Sequence, residues 1–282
     1  MKAAAFEYLR ADSAPQASAW LQGDERIAKV CSGSQSLGAM LNLRLVQVDR
    51  LVDVSRVPAL LGSALQGERL RIGAATTHAR IEDGALPDVT RGLLPHVAGS
   101  IAYRAVRNRG TVGGSLAHAD PAADWVSTLL LLGADCLLEG PDGARRLPIG
   151  DFLQGPFTTA LAPDELLVAI EVPCFSTQAR WSYRKLCRKP GEFAEGIGAV
   201  WVDPSRGIAR AVIGALDGLP RLVQGAEALA ALADNTALAD WIVQAGVDDP
   251  YKAEVLAAML SQALRDVQAP NAALHAAAGA IR

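Results

Sequence analysis

The chain has 282 residues, which is enough for about two domains of ordinary size. Hydrophobic residues make up 50% of it and charged residues 20%, a composition typical of a folded globular protein and not of a fibrous or disordered one. The formal net charge is -3, so the chain as a whole has no electrostatic attraction for nucleic acid or for an anionic membrane. Those two classes of partner are therefore disfavoured.

The cysteines are few and scattered, at Cys31, Cys136, Cys174 and Cys187. No pair has the C-x-x-C spacing, so a disulfide framework, a zinc ribbon or an iron–sulfur cluster built by this chain alone is disfavoured. The longest apolar run, 126–134, is about half of what a bilayer span requires. We therefore predict a soluble protein of a reducing compartment, the cytoplasm.

The first predicted elements alternate between strand and helix. A strand is predicted over 26–30, a helix over 36–45 with apolar residues at helical spacing, and a second strand within 45–54. A β-α-β unit is the simplest interpretation.

The middle of the chain predicts several strands and one strong helix. Strands are predicted over 69–74, 135–139 and 145–149, and the last two form a hairpin through a Pro-Asp-Gly turn. Between them a helix is predicted over Pro121–Leu132, with Asp120 as its cap, because proline suits the first helical position and Gly133 suits the end.

A break near Pro173 separates these elements from the rest. Strands are predicted over 181–188, 198–202 and 208–216, followed by helices. The last strong helix is predicted to begin after an Asp249 cap, with Pro250 inside its first turn. We place the domain boundary at the break.

The first candidate site is a turn of small residues between a predicted strand and a predicted helix, made of Ser32, Gly33, Ser34, Gln35, Ser36 and Leu37. Unpaired N–H groups at such a turn suit a phosphate or pyrophosphate. The turn is not a Walker A loop and lacks G-x-G-x-x-G, although Asp53 lies about where a ribose-binding acid would fall. A plain turn capped by Ser32 or Ser34 is an equal alternative.

The second candidate site is the stretch 107–120, which runs Arg107-Asn108-Arg109-Gly110-Thr111-Val112-Gly113-Gly114-Ser115-Leu116-Ala117-His118-Ala119-Asp120. Closely spaced glycines mark a backbone that takes positive φ or lets a ligand come close. The hydroxyls of Thr111 and Ser115 can donate to phosphate or sugar oxygens. A tight turn between strands remains the structural alternative.

Two other kinds of site are weaker at this segment. His118, Asp120 and Asp124 could bind a divalent ion, but Asp120 is needed as a cap, so Asp124 either stabilises the helix start or accepts a hydrogen bond from a ligand hydroxyl. A hydrolase is disfavoured because Ser115 has no base other than His118. The cationic run 184–189 is a solvated face by default, although one cation could turn inward to an anionic cofactor.

Together the two turns carry a resemblance. The run from Ser34 to Leu45 is similar to a flavin motif written A-G-G-x-S-L, and the segment 111–115 is similar to a second motif, T-I-G-G-[DNS], with the match continuing to Asp124. The chain thus resembles the FAD-binding medium subunits of the molybdenum hydroxylases, the group that includes carbon monoxide dehydrogenase and the quinoline, nicotine and caffeine dehydrogenases. The likeness covers nearly the whole chain.

The chain departs from this family at two places. Ser32 and Ser34 replace the common Ala and Gly, so Ser34 must tolerate whatever φ the glycine normally supplies. Phe193, in a segment similar to D-[FWY]-A, can stack on a flavin ring but cannot donate a hydrogen bond to it as tyrosine would.

The resemblance implies an α+β fold. A two-part FAD-binding domain of the vanillyl-alcohol-oxidase (PCMH) type would cover 1–174, with parts at about 1–57 and 58–174, and a smaller domain of antiparallel strands and helices would cover 175–282. The two turns would wrap the pyrophosphate, Asp124 would accept from a ribose or ribitol hydroxyl, and Lys185 would face the flavin. The implied cofactor-binding residues are Ser32, Gly33, Ser34, Gln35, Ser36, Leu37, Thr111, Val112, Gly113, Gly114, Ser115, Asp124, Lys185 and Phe193.

The resemblance also implies partner chains. A small subunit with two [2Fe-2S] clusters and a large molybdopterin subunit would form a heterotrimer, or a dimer of heterotrimers, in which electrons pass from the clusters through FAD to an external acceptor. An N-heterocycle is the expected substrate, oxidised on the large subunit. The alternatives are a free-standing FAD oxidase with its own substrate site and a non-enzymatic nucleotide-binding module.

Overall fold

The structure is a computed structural model that describes residues 2–22 and 26–269. It contains a parallel unit (7–53), a central unit (63–173) and a C-terminal unit (180–268). The mixture of one parallel sheet, two larger antiparallel sheets and helices confirms the predicted α+β class. No helix in the described residues is both long and apolar enough to cross a membrane.

The parallel unit is a three-stranded sheet in the order β1-β3-β2 with two helices. Its elements are β1 (Glu7–Arg10), α1 (Ala14–Leu21), β2 (Ala28–Cys31), α2 (Leu37–Asn42) and β3 (Arg50–Asp53). The predicted β-α-β arrangement of the last three is confirmed, whereas β1 and α1 carried no clear sequence pattern. In the register Arg10 and Cys31 both lie opposite Asp53, so the three strands end at one edge, and the first glycine turn starts there.

The central unit is an antiparallel sheet in the order β4-β5-β10-β6-β7, with helices and a small hairpin. The predicted hairpin of β6 and β7 is confirmed. The elements are β4 (Ser63–Gln66), β5 (Arg69–Gly73), α3 (His78–Glu82), α4 (Leu93–Ser100), α5 (Arg104–Arg107), α6 (Val112–His118), α7 (Asp124–Leu132), β6 (Asp135–Gly140), β7 (Gly143–Pro148), α8 (Ile149–Phe152), β8 (Leu153–Gly155), β9 (Thr158–Thr159) and β10 (Leu166–Pro173).

The predicted start of helix α7 is wrong by three residues. The helix begins at Asp124 with Ala123 at its N-cap, and not at Pro121. Asp120 instead closes a turn of its own: its Oδ1 accepts from the Ala122 N–H at 2.9 Å and its carbonyl accepts from Ala123 N–H at 2.9 Å. Gly133 ends the helix with a left-handed φ of 60°, as the sequence predicts.

The C-terminal unit is an antiparallel sheet in the order β11-β12-β13-β14, packed against helices. The last helix is capped as predicted, because the Asp249 carboxylate accepts from the Tyr251 N–H at 3.1 Å. The elements are β11 (Arg180–Leu186), β12 (Gly196–Asp203), β13 (Ile208–Gly214), β14 (Arg221–Gln224), α9 (Ala226–Ala231), α10 (Asn235–Gln244) and α11 (Pro250–Gln268).

Helix α7 lies between the central and C-terminal units. Trp125 and Leu129 belong to the same buried cluster as Trp201 and Val212 of the C-terminal sheet. Arg210 of that sheet donates to the Leu131 carbonyl at 3.2 Å. The predicted boundary near Pro173 falls in the connection from β10 to β11, so the chain crosses between units where their cores are continuous. The predicted last domain extends to residue 282, and residues 270–282 lie outside the described part.

Gly198 provides a test of the packing of α11 on β12. A Cβ at this position would lie 2.5 Å from the Leu260 nitrogen, a backbone atom that cannot rotate away, whereas a Cβ at Gly218 would meet nothing within 4 Å. We expect Gly198→Ala to lower the free energy of unfolding by about 1 to 3 kcal/mol, and Gly218→Ala to change it by less than about 0.5 kcal/mol. Urea unfolding of both variants measures the difference, and equal stability would contradict the packing described.

Candidate functional site

A cleft of about 370 Å³ lies where the parallel unit meets the central unit. One wall is the carboxyl edge of the parallel sheet with the first glycine turn, and the other is formed by the residues around Thr111. Of the predicted site residues, the cleft contains four, which are Ser32, Gly33, Ser34 and Thr111. The cleft therefore brings the two predicted turns together.

The two turns touch through backbone. A Cβ on Gly33 would overlap the Arg109 carbonyl oxygen and would come within 2.7 Å of the Gly110 Cα. Only glycine allows this approach, because every other residue carries a Cβ. The next residue, Ser34, has a left-handed φ of 55°, as expected for a serine at a position where the family favours glycine, at a cost of about 1 to 2 kcal/mol.

The first turn does not use its serines as the capping alternative predicts. Ser36 occupies the N-cap of α2 and makes no side-chain capping hydrogen bond, so a cap by Ser32 or Ser34 is wrong. Gln35 donates to the Gly33 carbonyl at 3.0 Å. The Ser32 Oγ is buried and has no hydrogen-bond partner among residues 2–22 and 26–269. A buried hydroxyl without a partner is costly, and a ligand oxygen in the cleft would satisfy it.

The second turn is the start of helix α6. Thr111 is its N-cap, with the side-chain oxygen accepting from the Gly114 N–H at 3.1 Å. Of the two roles that the sequence allows for these glycines, positive φ is not found, because none of Gly110, Gly113 and Gly114 has one. They serve close packing instead: a Cβ on Gly113 would overlap Ala74 at the end of β5, and the Gly113 N–H donates to the Ala74 carbonyl at 2.9 Å.

His78 contacts the residue before the second turn, and no sequence motif predicted this role. The backbone N–H of His78 donates to the Gly110 carbonyl at 2.9 Å. A Cβ on Gly110 would lie 2.9 Å from the imidazole ring of His78. Trp125 Nε1 donates to His78 Nδ1 at 3.0 Å. Since an indole nitrogen can only donate, Nδ1 carries no proton and the neutral ring holds its proton on Nε2. Burial lowers the pKa of His78 to about 4.

Asp53 lies on the cleft wall but is occupied by protein groups. Its carboxylate accepts from the Tyr8 hydroxyl, from Arg10 Nε at 3.2 Å and from the Ser55 N–H at 2.8 Å. Burial acts to raise the pKa of Asp53, but these hydrogen bonds prevail and the pKa is lowered. Asp53 therefore holds β1 to β3 and does not stand free as a ribose-binding acid, the possibility that its position in the sequence suggested.

Asp124 and Lys185 meet at the junction of the central and C-terminal units. Lys185 Nζ lies 3.0 Å from both carboxylate oxygens and 3.3 Å from the Ser100 carbonyl, and the Tyr183 hydroxyl donates to Asp124 at 2.7 Å. The side chains of the pair are 5% and 8% exposed. Burial, and then the Asp124 charge, raise the pKa of Tyr183 well above its usual value. Lys185 is thus the cation of its run that turns inward.

The remaining predicted residues lie outside this cleft. Phe193 is 62% exposed, and its neighbour Gly191 lies against the ring of Tyr103, which is 61% exposed. His118 contacts Phe157, with ring centroids 5.1 Å apart. Within the described ranges no group of three or more His, Cys, Asp or Glu residues could hold a metal ion, and Asp120 and Asp124 face different partners.

Comparisons with known proteins show the family to which the chain belongs. A sequence-family model described as "FAD binding domain in molybdopterin dehydrogenase" matches residues 4–175. The chain belongs to this family. The 6-hydroxypseudooxynicotine dehydrogenase complex subunit alpha of Paenarthrobacter nicotinovorans is 34% identical over 238 residues, which are 84% of this chain and 80% of that one. The carbon monoxide dehydrogenase medium chain of Hydrogenophaga pseudoflava is 37% identical over 189 residues, 67% of this chain and 66% of that one.

Solved structures give the same result. Carbon monoxide dehydrogenase from Hydrogenophaga pseudoflava matches with a TM-score of 0.83 and 33% identity, covering 94% of this chain and 98% of that one. Quinoline 2-oxidoreductase from Pseudomonas putida 86 matches with a TM-score of 0.81 and 29% identity, covering 95% and 99%. The resemblance inferred from the two motifs is confirmed. The chain is an FAD-binding subunit of a multi-subunit molybdenum-containing oxidoreductase.

The low pKa of His78 predicts that the free energy of unfolding depends on pH. In the unfolded chain this histidine has the ordinary pKa of about 6.5. Between about pH 4 and pH 6.5 the unfolded chain therefore binds a proton at His78 that the folded chain does not. His78 therefore contributes its full stability above about pH 6.5, and this contribution is lost as pH falls toward 4, by up to about 1.4 kcal/mol per pH unit.

Urea unfolding of the wild type and of His78→Gln at pH 7 and pH 5 measures this contribution. We expect the wild type to lose roughly 2 kcal/mol more than the variant between the two pH values. The other histidines cancel in this comparison because both proteins carry them. An identical loss in the two proteins would contradict the buried neutral imidazole.

Proposed function

We propose that the cleft between the two turns binds the pyrophosphate of FAD, and that the chain is the electron-transfer subunit of its complex. The observation that carries the proposal is the backbone contact of Gly33 with the Arg109 carbonyl, which joins two segments with phosphate-binding chemistry into one cleft. The proposed cofactor-binding residues are the predicted ones, with the residues 32–37 and 111–115 around the pyrophosphate.

The donors at the cleft fit the cofactor. The Gly38 N–H of α2 already donates to the Ser34 carbonyl at 3.0 Å. Ser32 has a buried hydroxyl without a partner among the described residues, and a pyrophosphate oxygen can accept a hydrogen bond from it. FAD supplies the redox chemistry when it is bound. The chain's own residues then have to bind and orient it, and no acid–base pair of the protein is required.

Asp124, Lys185 and Phe193 belong to the proposal in a second role. The Asp124–Lys185 pair joins the central unit to β11, so we propose that it holds Lys185 toward the flavin half of the cofactor, with Phe193 as an exposed ring available for stacking. The proposed division into an FAD-binding domain (1–174) and a C-terminal domain (175–282) is supported by the separate sheets on either side of it, the last strand of one ending at Pro173 and the first strand of the other beginning at Arg180.

Two observations support partner subunits: the names of the relatives and the state of the cysteines in this chain. Relatives are named as medium chains or medium subunits, for example of nicotine 6-hydroxylase. All four cysteines are free, no group of three or more His, Cys, Asp or Glu in the described ranges could hold a metal, and burial raises the pKa of Cys31 to about 11 and that of Cys136 to about 12. We propose a cytoplasmic heterotrimer, or a dimer of heterotrimers, with a small [2Fe-2S] subunit and a large molybdopterin subunit.

In this complex electrons would enter from the partner's [2Fe-2S] clusters and leave to an external acceptor. The substrate, oxidised on the large subunit, is proposed to be an N-heterocycle, because the run from Ser36 to Leu45 is similar to that of heterocycle-hydroxylating members. Relatives named for nicotine and caffeine support this class, whereas others are named for carbon monoxide and glyceraldehyde.

Flavin reduction with and without partner chains tests the proposal. Acid extraction of the purified chain should release FAD, and the flavin of the chain alone should stay oxidised when heterocyclic substrates are added anaerobically. Addition of the two partner subunits should allow its reduction, which is followed by the loss of visible flavin absorbance. Rapid reduction of the chain alone would favour a free-standing oxidase. A chain that cannot be loaded with FAD would refute the proposal.

A further inference from the structure

The cleft contains two arginines, Arg56 and Arg109, that are not among the predicted cofactor-binding residues, although Arg109 lies within the second candidate stretch. We propose that Arg56 and Arg109 bind the diphosphate of FAD from opposite walls of the cleft and determine how tightly the ADP half of the cofactor is held. This inference rests on the proposed function, because it requires that FAD occupies the cleft. It goes beyond that function by assigning the cationic contacts, which neither glycine turn supplies.

The first observation is that both guanidinium groups are unused. Three arginines line the cleft, and Arg10 is held by Asp53 and Tyr8. The side chains of Arg56 and Arg109 make no hydrogen bond or ion pair with the described part of the chain. Nearby arginines behave differently, since Arg104 and Arg107 both bind Glu82.

The second observation is the charge of the cleft. Its ionisable lining consists of three arginines, Asp53, Tyr8 and Cys31. Burial raises the pKa of Cys31 to about 11, and the hydrogen bond with Asp53 raises the pKa of Tyr8, so both are neutral at pH 7. The cleft therefore carries a net charge of +2 in a chain whose formal net charge is -3. A diphosphate diester such as that of FAD carries about two negative charges at this pH, and the opposite charges are complementary.

The third observation is that the two arginines have fixed backbones. The Arg109 carbonyl lies against Gly33, and the Arg109 N–H donates to the Val106 carbonyl at 3.0 Å. Arg56 lies between Ser55, which is bound to Asp53, and Val57, which is fully buried. These contacts hold the backbone of both arginines at the cleft. A guanidinium group presents paired N–H donors that match two phosphate oxygens.

Titration calorimetry of the flavin-free full chain tests this assignment, with ADP as a diphosphate that lacks the flavin ring and with FAD itself. We expect Arg56→Gln and Arg109→Gln each to raise the Kd for both ligands about tenfold, the usual effect of removing one charged hydrogen-bonding partner. Arg109→Lys should recover part of the loss, because it keeps the charge but not the paired donors.

The matched control is Arg180→Gln, an exposed arginine of β11 outside the cleft, which should leave both Kd values unchanged. Equal Tm values of all variants would show that the fold is intact. Glutamine variants that bind ADP and FAD as the wild type does would overturn this inference alone, as would a wild type that binds FAD but not ADP. A wild type that does not bind FAD would overturn the proposed function itself.

Discussion

The approach of Gly33 to the Arg109 carbonyl is the constraint on which the rest of the site depends. It brings the end of a parallel sheet against the start of α6, two segments about 75 residues apart in sequence, with no room for a Cβ between them. Ser34 then turns with a left-handed φ, and Thr111 starts the helix on the other side. The cleft lies between the two segments that this contact joins.

A second joint holds the C-terminal unit in place. Asp124, buried in its pair with Lys185, also accepts hydrogen bonds from the Tyr183 and Ser100 hydroxyls. Trp125, the next residue of α7, donates to His78, which contacts the second turn. Breaking a buried pair by removing one partner leaves an uncompensated charge and costs about 3 to 5 kcal/mol. Helix α7 thus connects the junction of the central and C-terminal units to the second turn, through the neighbouring side chains of Asp124 and Trp125.

Sequence patterns predicted the elements whose formation depends on residues close together in the sequence. The β-α-β unit, the hairpin of β6 and β7 and the Asp249 cap of the last helix all follow from periodicity and turn residues, and the two flavin motifs identified the family. The sequence-based predictions were wrong where the role of a residue depends on its partners in the folded chain. Asp53 is bound by Tyr8 on a strand that shows no clear pattern, and Asp120 closes a turn instead of capping a helix. No local sequence pattern identifies His78, because the pairing of Thr77 with Thr111 brings it to the second turn.

The FAD content of Gly33→Ala compared with Gly38→Ala tests the central claim most directly. The alanine at position 33 would overlap the Arg109 carbonyl, whereas a Cβ at position 38 meets only the Ser34 Cβ at 3.8 Å, an ordinary contact in helix α2. We predict that Gly33→Ala is purified folded but with most of its FAD lost, and that Gly38→Ala keeps the wild-type flavin-to-protein ratio. A folded Gly33→Ala chain with the full complement of FAD would contradict the account.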